Sequence, residues 1–221
     1  MVSTTRSVGR PRVSVLSRRL IAETALRLLD EGEDAGFRMT DLARVLGVRV
    51  SSLYNHVSGK SAVYAEIREI LSERIGEDAA PSPHWDVALR DWARAYRAAF
   101  AAHPSTVAVL AVLPVGESSM VSVAYNDLVT QLVSAGWTPA ESMNIIVAVE
   151  SFILGSALDS SAPQDMLDPG GRTDVPVFAA AYEARRETAA RDGVAPADLA
   201  FTLGLDALLV GLRSQLAARP G

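Results

Sequence analysis

Cysteine is absent from the 221 residues, which excludes disulfide scaffolds, thiolate zinc sites, iron–sulfur ligation and thiol nucleophiles. Only three histidines occur, and no metal site or cofactor is expected. Lysine is almost missing too: Lys60 is the only one among 21 cationic residues. No uninterrupted apolar stretch of about 18 residues exists, the length a membrane helix needs. The nearest candidate, Met143 to Leu158, is broken by Asn144, Glu150 and Ser151, so no membrane partner is expected. The opening Met1-Val2-Ser3-Thr4-Thr5-Arg6 lacks the apolar core of a signal peptide, which predicts a cytoplasmic protein. A Ser/His/Asp set, a His-x-x-x-His pair, and paired carboxylates beside a glycine turn are all missing. Gly170-Gly171 follows no strand and carries no nucleotide signal. An enzyme is not expected.

What is present suits a soluble all-α protein, with 49% apolar and 21% charged residues. The net charge of −5 hides an asymmetry. Residues 1–60 hold ten Lys and Arg against six Asp and Glu, and residues 61–221 hold eleven against twenty. A basic head on an acidic body suits a polyanion at one end.

Helical periodicity dominates, with no convincing alternating strand. Ser17 is placed to cap a first helix with Leu20, Ile21, Ala25, Leu28 and Leu29 on one stripe, ending at Gly32. A second helix is predicted near Thr40 to Leu46, closed by Gly47. A third is predicted from a Ser51 cap to about Val57, and a fourth from Lys60. Ala79-Ala80-Pro81-Ser82-Pro83 marks a boundary. Further helices are predicted at about 85–102, between Pro104 and Pro114, at 118–135, 139–160, 177–191 and 197–217, with a loop over 161–176. Thr138-Pro139-Ala140-Glu141 reads as a capping box. The organisation predicted is a flexible basic arm over 1–16, a three-helix unit with a connecting helix over 17–78, and a larger all-α unit over 79–221.

The segment Thr40 to Val57 reads as a helix-turn-helix. Ala43 is small where two backbones must approach, Gly47 tolerates positive φ at the turn, and Leu42, Val48 and Leu53 are spaced to bury together. A structural helical hairpin with the same glycine turn is the competing reading. In a helix-turn-helix the second helix enters the major groove N-terminus first. Arg49 would then pair with guanine and Val50 pack on a thymine methyl, with Ser51 beside them.

These residues, with Leu53-Tyr54-Asn55-His56-Val57-Ser58-Gly59-Lys60, resemble the TetR-type transcriptional regulators over about residues 10–75. The resemblance implies that Tyr54 and Lys60 hold DNA phosphates, that Arg49, Val50 and Ser51 face bases, and that Ser52 and Asn55 flank them. His56 is included in this set, although the family's histidine there is a packed, structural residue. Arg38 departs from the pattern, standing where a capping Thr or Ser is usual; Thr40 or Asp41 would compensate through the helix dipole, or Arg38 itself would reach a phosphate. Ahead of them, Arg10 and Arg12, with Arg6, resemble an AT-hook core that would lie in a minor groove.

The predicted helices at 139–160 and 197–217 are apolar nearly all round, so each needs cover on both sides. A second copy would supply it, forming a four-helix bundle with Val149, Phe152, Gly204, Ala207, Leu208 and Gly211 at the interface. An ordinary core helix is the alternative. The resemblance implies a homodimer on a palindromic operator, with a small-molecule effector. Trp92, Tyr96 and Phe100 recur at i, i+4, i+8, and Glu150 is an isolated acid in an apolar helix; together they are candidate pocket residues. A plain aromatic core stripe, and an ion pair from Glu150 to Arg94 or Arg97, are the alternatives. A DNA-binding regulator without an effector, and an all-α enzyme, are the competing functional readings.

Overall fold

The computed structural model describes residues 16–32, 36–79, 82–116 and 119–219. Among them are ten α-helices and one short 3-10 turn, with no strand. The first four helices are α1 (Arg18–Glu31), α2 (Met39–Leu46), α3 (Val50–Tyr54) and α4 (Lys60–Asp78). The Ser17 hydroxyl accepts the Leu20 N–H at 3.1 Å and starts α1. The buried stripe of α1 is Ile21, Ala22, Ala25, Leu26 and Leu29, with Leu20 and Leu28 at its edges.

The expected Ser51 cap is not formed. Arg49 holds the capping position without a side-chain bond, and Ser51 is already the second residue inside α3. The helix is also shorter than expected: it ends at Tyr54, and the N–H groups of His56 and Val57 both return to the Leu53 carbonyl.

Helix α4 is the spine of the molecule. Val63, Tyr64, Ile67, Arg68, Ile70, Leu71 and Ile75 are all buried on it, because α1 packs on one side and α5, α6 and α7 on others. A buried Leu or Ile side chain stabilises the fold by about 1.5–3 kcal/mol, so this one helix ties both halves into a continuous core. A polar joint adds to it at the rim. The His103 ring meets Asp30 of α1 at 2.8 Å through Nδ1 and Arg74 of α4 at 2.9 Å through Nε2.

The remaining helices are α5 (Trp85–Ala101), α6 (Val107–Leu110) after a 3-10 turn at Pro104–Thr106, α7 (Met120–Ser134), α8 (Pro139–Asp159), α9 (Pro176–Asp192) and α10 (Pro196–Ala217). The capping box at the start of α8 is complete: Thr138 Oγ1 accepts the Glu141 N–H, and Glu141 accepts the Thr138 N–H at 2.8 Å. Leu89, Leu132, Ile146, Ile153, Leu205 and Leu209 form the centre of this half. Arg97 joins three helices, donating to Ser156 of α8 at 2.8 Å and to Asp198 of α10 at 2.6 Å.

Helices α8 and α10 are long and apolar enough to cross a membrane by length and hydropathy alone. Each divides that apolar surface between a core side and an exposed side. Met143, Val147 and Leu158 of α8 and Leu203 and Val210 of α10 are exposed. Several residues expected at a subunit interface are instead engaged within the chain. Val149 is 1% exposed, because it faces the core between Ile146 and Ile153. Phe152 stacks on Phe201 at 5.5 Å, and a Cβ on Gly204 would lie 2.6 Å from the Phe152 ring. Gly204 therefore lets α10 approach α8 of the same chain. Ala207 and Gly211 are exposed, and Leu208 is half-buried.

Candidate nucleic-acid interface and effector cavity

The turn between α2 and α3 follows from two residues. Gly47 has φ 67° and ψ 28°, a left-handed conformation that costs a residue with a Cβ roughly 1–2 kcal/mol. Its N–H and that of Val48 return to the carbonyls of Arg44 and Ala43 at 3.2 and 3.0 Å, closing α2 as a Schellman motif. Ala43, Leu42 and Leu53 are buried beneath, and Val48 and Val50 are half-buried against the same core.

Burial of Val50 and Leu53 phases the short third helix. Ser51, Tyr54 and Asn55, at i, i+3 and i+4, occupy the opposite, exposed side, with Arg49 exposed at the N-terminal end. Arg38 and Thr40 are exposed at the start of α2, Ser52 is half-buried, and Lys60 is exposed at the start of α4. The Lys60 ammonium stands 5.1 Å from the Phe37 ring centre and 5.6 Å from that of Tyr64, so two aromatic faces hold a cation beside the chain entering α2. His56 is half-buried. Its carbonyl accepts Arg18 Nε at 2.8 Å, which fixes the end of α3 to the start of α1. Arg38 sits at the capping position of α2 with no side-chain cap, while Asp41 occupies the first turn.

Arg18 is a cation of this surface that no sequence motif marks. Within the described residues, Arg18, Arg38, Arg49 and Lys60 have no carboxylate at ion-pair distance, whereas Arg19 is matched by Glu23 and Glu73. Arg10 and Arg12 lie outside the described residues.

In the other half, a cavity of about 230 Å³ is lined by residues of α4 (Arg68, Ser72, Ile75), α5 (Tyr96, Phe100) and the segment after α6, with Val121, Tyr125 and Glu150 closing it. Tyr96 lies flat on Phe100 at 4.7 Å. Glu150 makes no ion pair with Arg94 or Arg97. Its Oε1 instead accepts the hydroxyls of Tyr96 at 2.7 Å and Tyr125 at 2.8 Å. Burial first, and then the charge of Glu150, push both phenols well above the usual tyrosine range, so they remain protonated donors. Trp92 does not line this cavity: it is buried edge-on against Tyr96 at 5.2 Å and lines a neighbouring one with Ile75, Ala88 and Leu128.

Tyr125 and Arg68 are cavity residues that the sequence did not reveal. Both are brought there by packing of α7 and α4 between distant segments, which leaves no local pattern. Arg68 donates to the carbonyls of Leu110, Leu113 and Pro114, so α4 holds the end of α6 through a buried guanidinium.

Comparison with known proteins gives a consistent result. A family model described as tetracyclin repressor-like, C-terminal domain, matches residues 78–216. The HTH-type transcriptional repressor DrrR1 of Streptomyces coeruleorubidus is 26% identical, covering 91% of this chain and 78% of its own length. The class E tetracycline repressor protein of Escherichia coli is also 26% identical, covering 89% and 90%. The crystal structure of a possible TetR family transcriptional regulator from Streptomyces coelicolor A3(2) superposes with a TM-score of 0.68 at 25% identity, covering 90% of this chain and 99% of that one. With the family model spanning more than half of it, the chain belongs to the tetracycline-repressor-like (TetR-type) family of DNA-binding transcriptional regulators.

Proposed function

We propose that this protein is a homodimeric repressor that binds a palindromic operator in double-stranded DNA and is released by a small molecule seated in the cavity lined by Glu150. The observation that carries this reading is the continuity of α4. The helix begins at Lys60, beside the exposed cations of the helix-turn-helix, and its middle supplies Arg68, Ser72 and Ile75 to the cavity wall. A ligand that shifts α4 therefore shifts the DNA-reading surface. Binding energy reaches the operator only as the difference in ligand affinity between the two arrangements.

In this reading residues 17–78 form the DNA-binding unit, 79–221 the effector-binding and dimerisation unit, and 1–16 a basic arm. Arg49 and Ser51 face base edges, while Val50, expected beside them, packs half-buried against the core and supports the helix from within. Arg38, Thr40, Ser52, Tyr54, Asn55, His56 and Lys60 hold or flank the phosphate backbone, with Arg10 and Arg12 adding affinity from the arm. The exposed sides of α8 and α10 meet their counterparts in a second copy. A cytoplasmic location follows from the DNA target. Family membership supports a regulator over an all-α enzyme.

The test is recovery of bound sequences from random duplex DNA. The expected result is a two-fold symmetric consensus with half-sites about 34–36 Å apart, the spacing of successive major grooves. A protein that stays monomeric and binds no duplex at low salt overturns the reading.

A further inference from the structure

Glu150 is held unusually for an acid in an apolar helix. Both tyrosine hydroxyls converge on a single oxygen, Oε1. Among the described residues, no donor reaches Oε2, and Glu150 lines the cavity. The carboxylate is thus aimed by two fixed phenols and keeps one acceptor for something else. No cation of the protein neutralises it within ion-pair distance among the described residues. Arg68 lines the same cavity, but three of its five N–H donors are spent on the backbone carbonyls of Leu110, Leu113 and Pro114, and it makes no ion pair with Glu150. The remaining walls are the stacked faces of Tyr96 and Phe100 and the apolar side chains of Ile75, Leu110, Leu113, Val115 and Val121.

A half-buried carboxylate with no direct ion-pair partner and one oxygen without a donor disfavours ligands that bring only acceptors and favours those that bring a charged donor. Aromatic faces beside it add attraction for the same charge. We infer that the effector is a flat, apolar molecule carrying a protonated amine, with the amine on Glu150 Oε2 and the flat body between the aromatic pair and the aliphatic wall. This names the chemical class of ligand for the cavity and rests on the reading of that cavity as the effector's seat.

Three probes of one shape test it: 2-(1-naphthyl)ethylamine, 2-(1-naphthyl)ethanol and 1-naphthylacetate, titrated calorimetrically into the full-length protein. The amine is expected to bind roughly tenfold to a hundredfold tighter than the alcohol, the range of a charge-assisted hydrogen bond, and the carboxylate weakest. Glu150→Gln, which keeps an acceptor for both tyrosines, is expected to erase the preference of amine over alcohol. Val121→Trp, which fills the cavity, is expected to abolish binding of all three. Equal binding of amine and alcohol overturns the amine class while leaving the cavity as the seat. Binding of the carboxylate tighter than the amine, or amine binding that survives both substitutions, overturns the assignment. Failure of all three probes to bind overturns the cavity reading itself. If the amine binds with this preference but leaves the operator complex intact, the ligand class stands and ligand-driven release fails.

Discussion

Arg49 and Lys60 are both exposed cations of the helix-turn-helix half, and in the proposed reading their surroundings suit them to different tasks. Arg49 precedes a helix whose buried side is fixed by Val50 and Leu53, so its guanidinium leads that helix outward. Lys60 is held over Phe37 and Tyr64, a point charge suited to a phosphate. Arg49→Ala is therefore expected to cost about 1–3 kcal/mol on the preferred operator and to relax base choice there. Lys60→Ala is expected to weaken all duplexes alike and lower the salt slope of log K by about 1. Fluorescence anisotropy on matched and scrambled operators over a salt series separates the two. The exposed residues from Arg38 to Lys60 were legible in the sequence because the turn confines them to 23 consecutive positions. Arg18, Arg68 and Tyr125 were not, because they reach their partners at His56, the end of α6 and Glu150 only after distant helices pack.

At the level of elements, chemistry that closes within four residues was read correctly and phase was not. The caps at Ser17 and Thr138 depend on one hydroxyl and one nearby N–H, and both form. Ser51 offers the same hydroxyl, yet the cap falls on Arg49 and α3 starts two residues earlier than a Ser51 cap would place it, since Val50 packs inward with Leu53. Phase failed again on α8, where an apolar residue on nearly every side leaves no stripe to show that Val149 faces inward and Val147 outward.

The capping box of α8 also carries a pH dependence. Arg219 donates to Glu141 Oε1 at 2.6 Å, and Thr138 donates to Oε2 from its hydroxyl and its backbone. The Arg219 bond first, and then the Thr138 bonds, hold the Glu141 carboxyl down at about 2, against 4.5 for an ordinary glutamate. A carboxyl depressed in the folded state contributes stability above its unfolded value, and that contribution is lost as pH falls. Glu141 thus stabilises the fold fully above about pH 4.5 and loses its contribution down to about pH 2. Glu141→Gln is expected to lower Tm at pH 7 and to flatten the fall in Tm over that window. Thr138→Ala is expected to cost about 1 kcal/mol at pH 7 as a lost cap. Thermal unfolding followed by circular dichroism at a series of pH values measures both, and an unchanged acid slope in Glu141→Gln would reject the linkage.

For the molecule as a whole, the outer sides of α8 and α10 are apolar surfaces that the single chain leaves uncovered. Leu203 and Val210 are 75% and 60% exposed in the single chain, one above the other at helical spacing, with Ala207 between them. Charged Asp206 and Arg213 flank the same helix and pair with Arg90 and Asp86 of α5, so the apolar strip is bordered by ion pairs made within the chain. A second copy can therefore lie on the strip without breaking them. Neither Leu203 nor Val210 belongs to the core, and glutamate at either position leaves the packing of Phe201, Leu205 and Leu209 intact. Leu203→Glu with Val210→Glu is expected to give a monomer in sedimentation velocity with helix content and Tm close to the parent's. Its operator affinity is expected to fall by two or more orders of magnitude, because a single recognition helix keeps only one half-site and the free energy of the second is lost. Affinity for a lone half-site is expected to stay within about threefold of the parent's, since α3 and its supporting core lie in the other half of the molecule. A double variant that remains dimeric would move the interface off this strip. A monomeric variant that still binds the full operator like the parent would mean that pairing does not set the spacing of the two recognition helices.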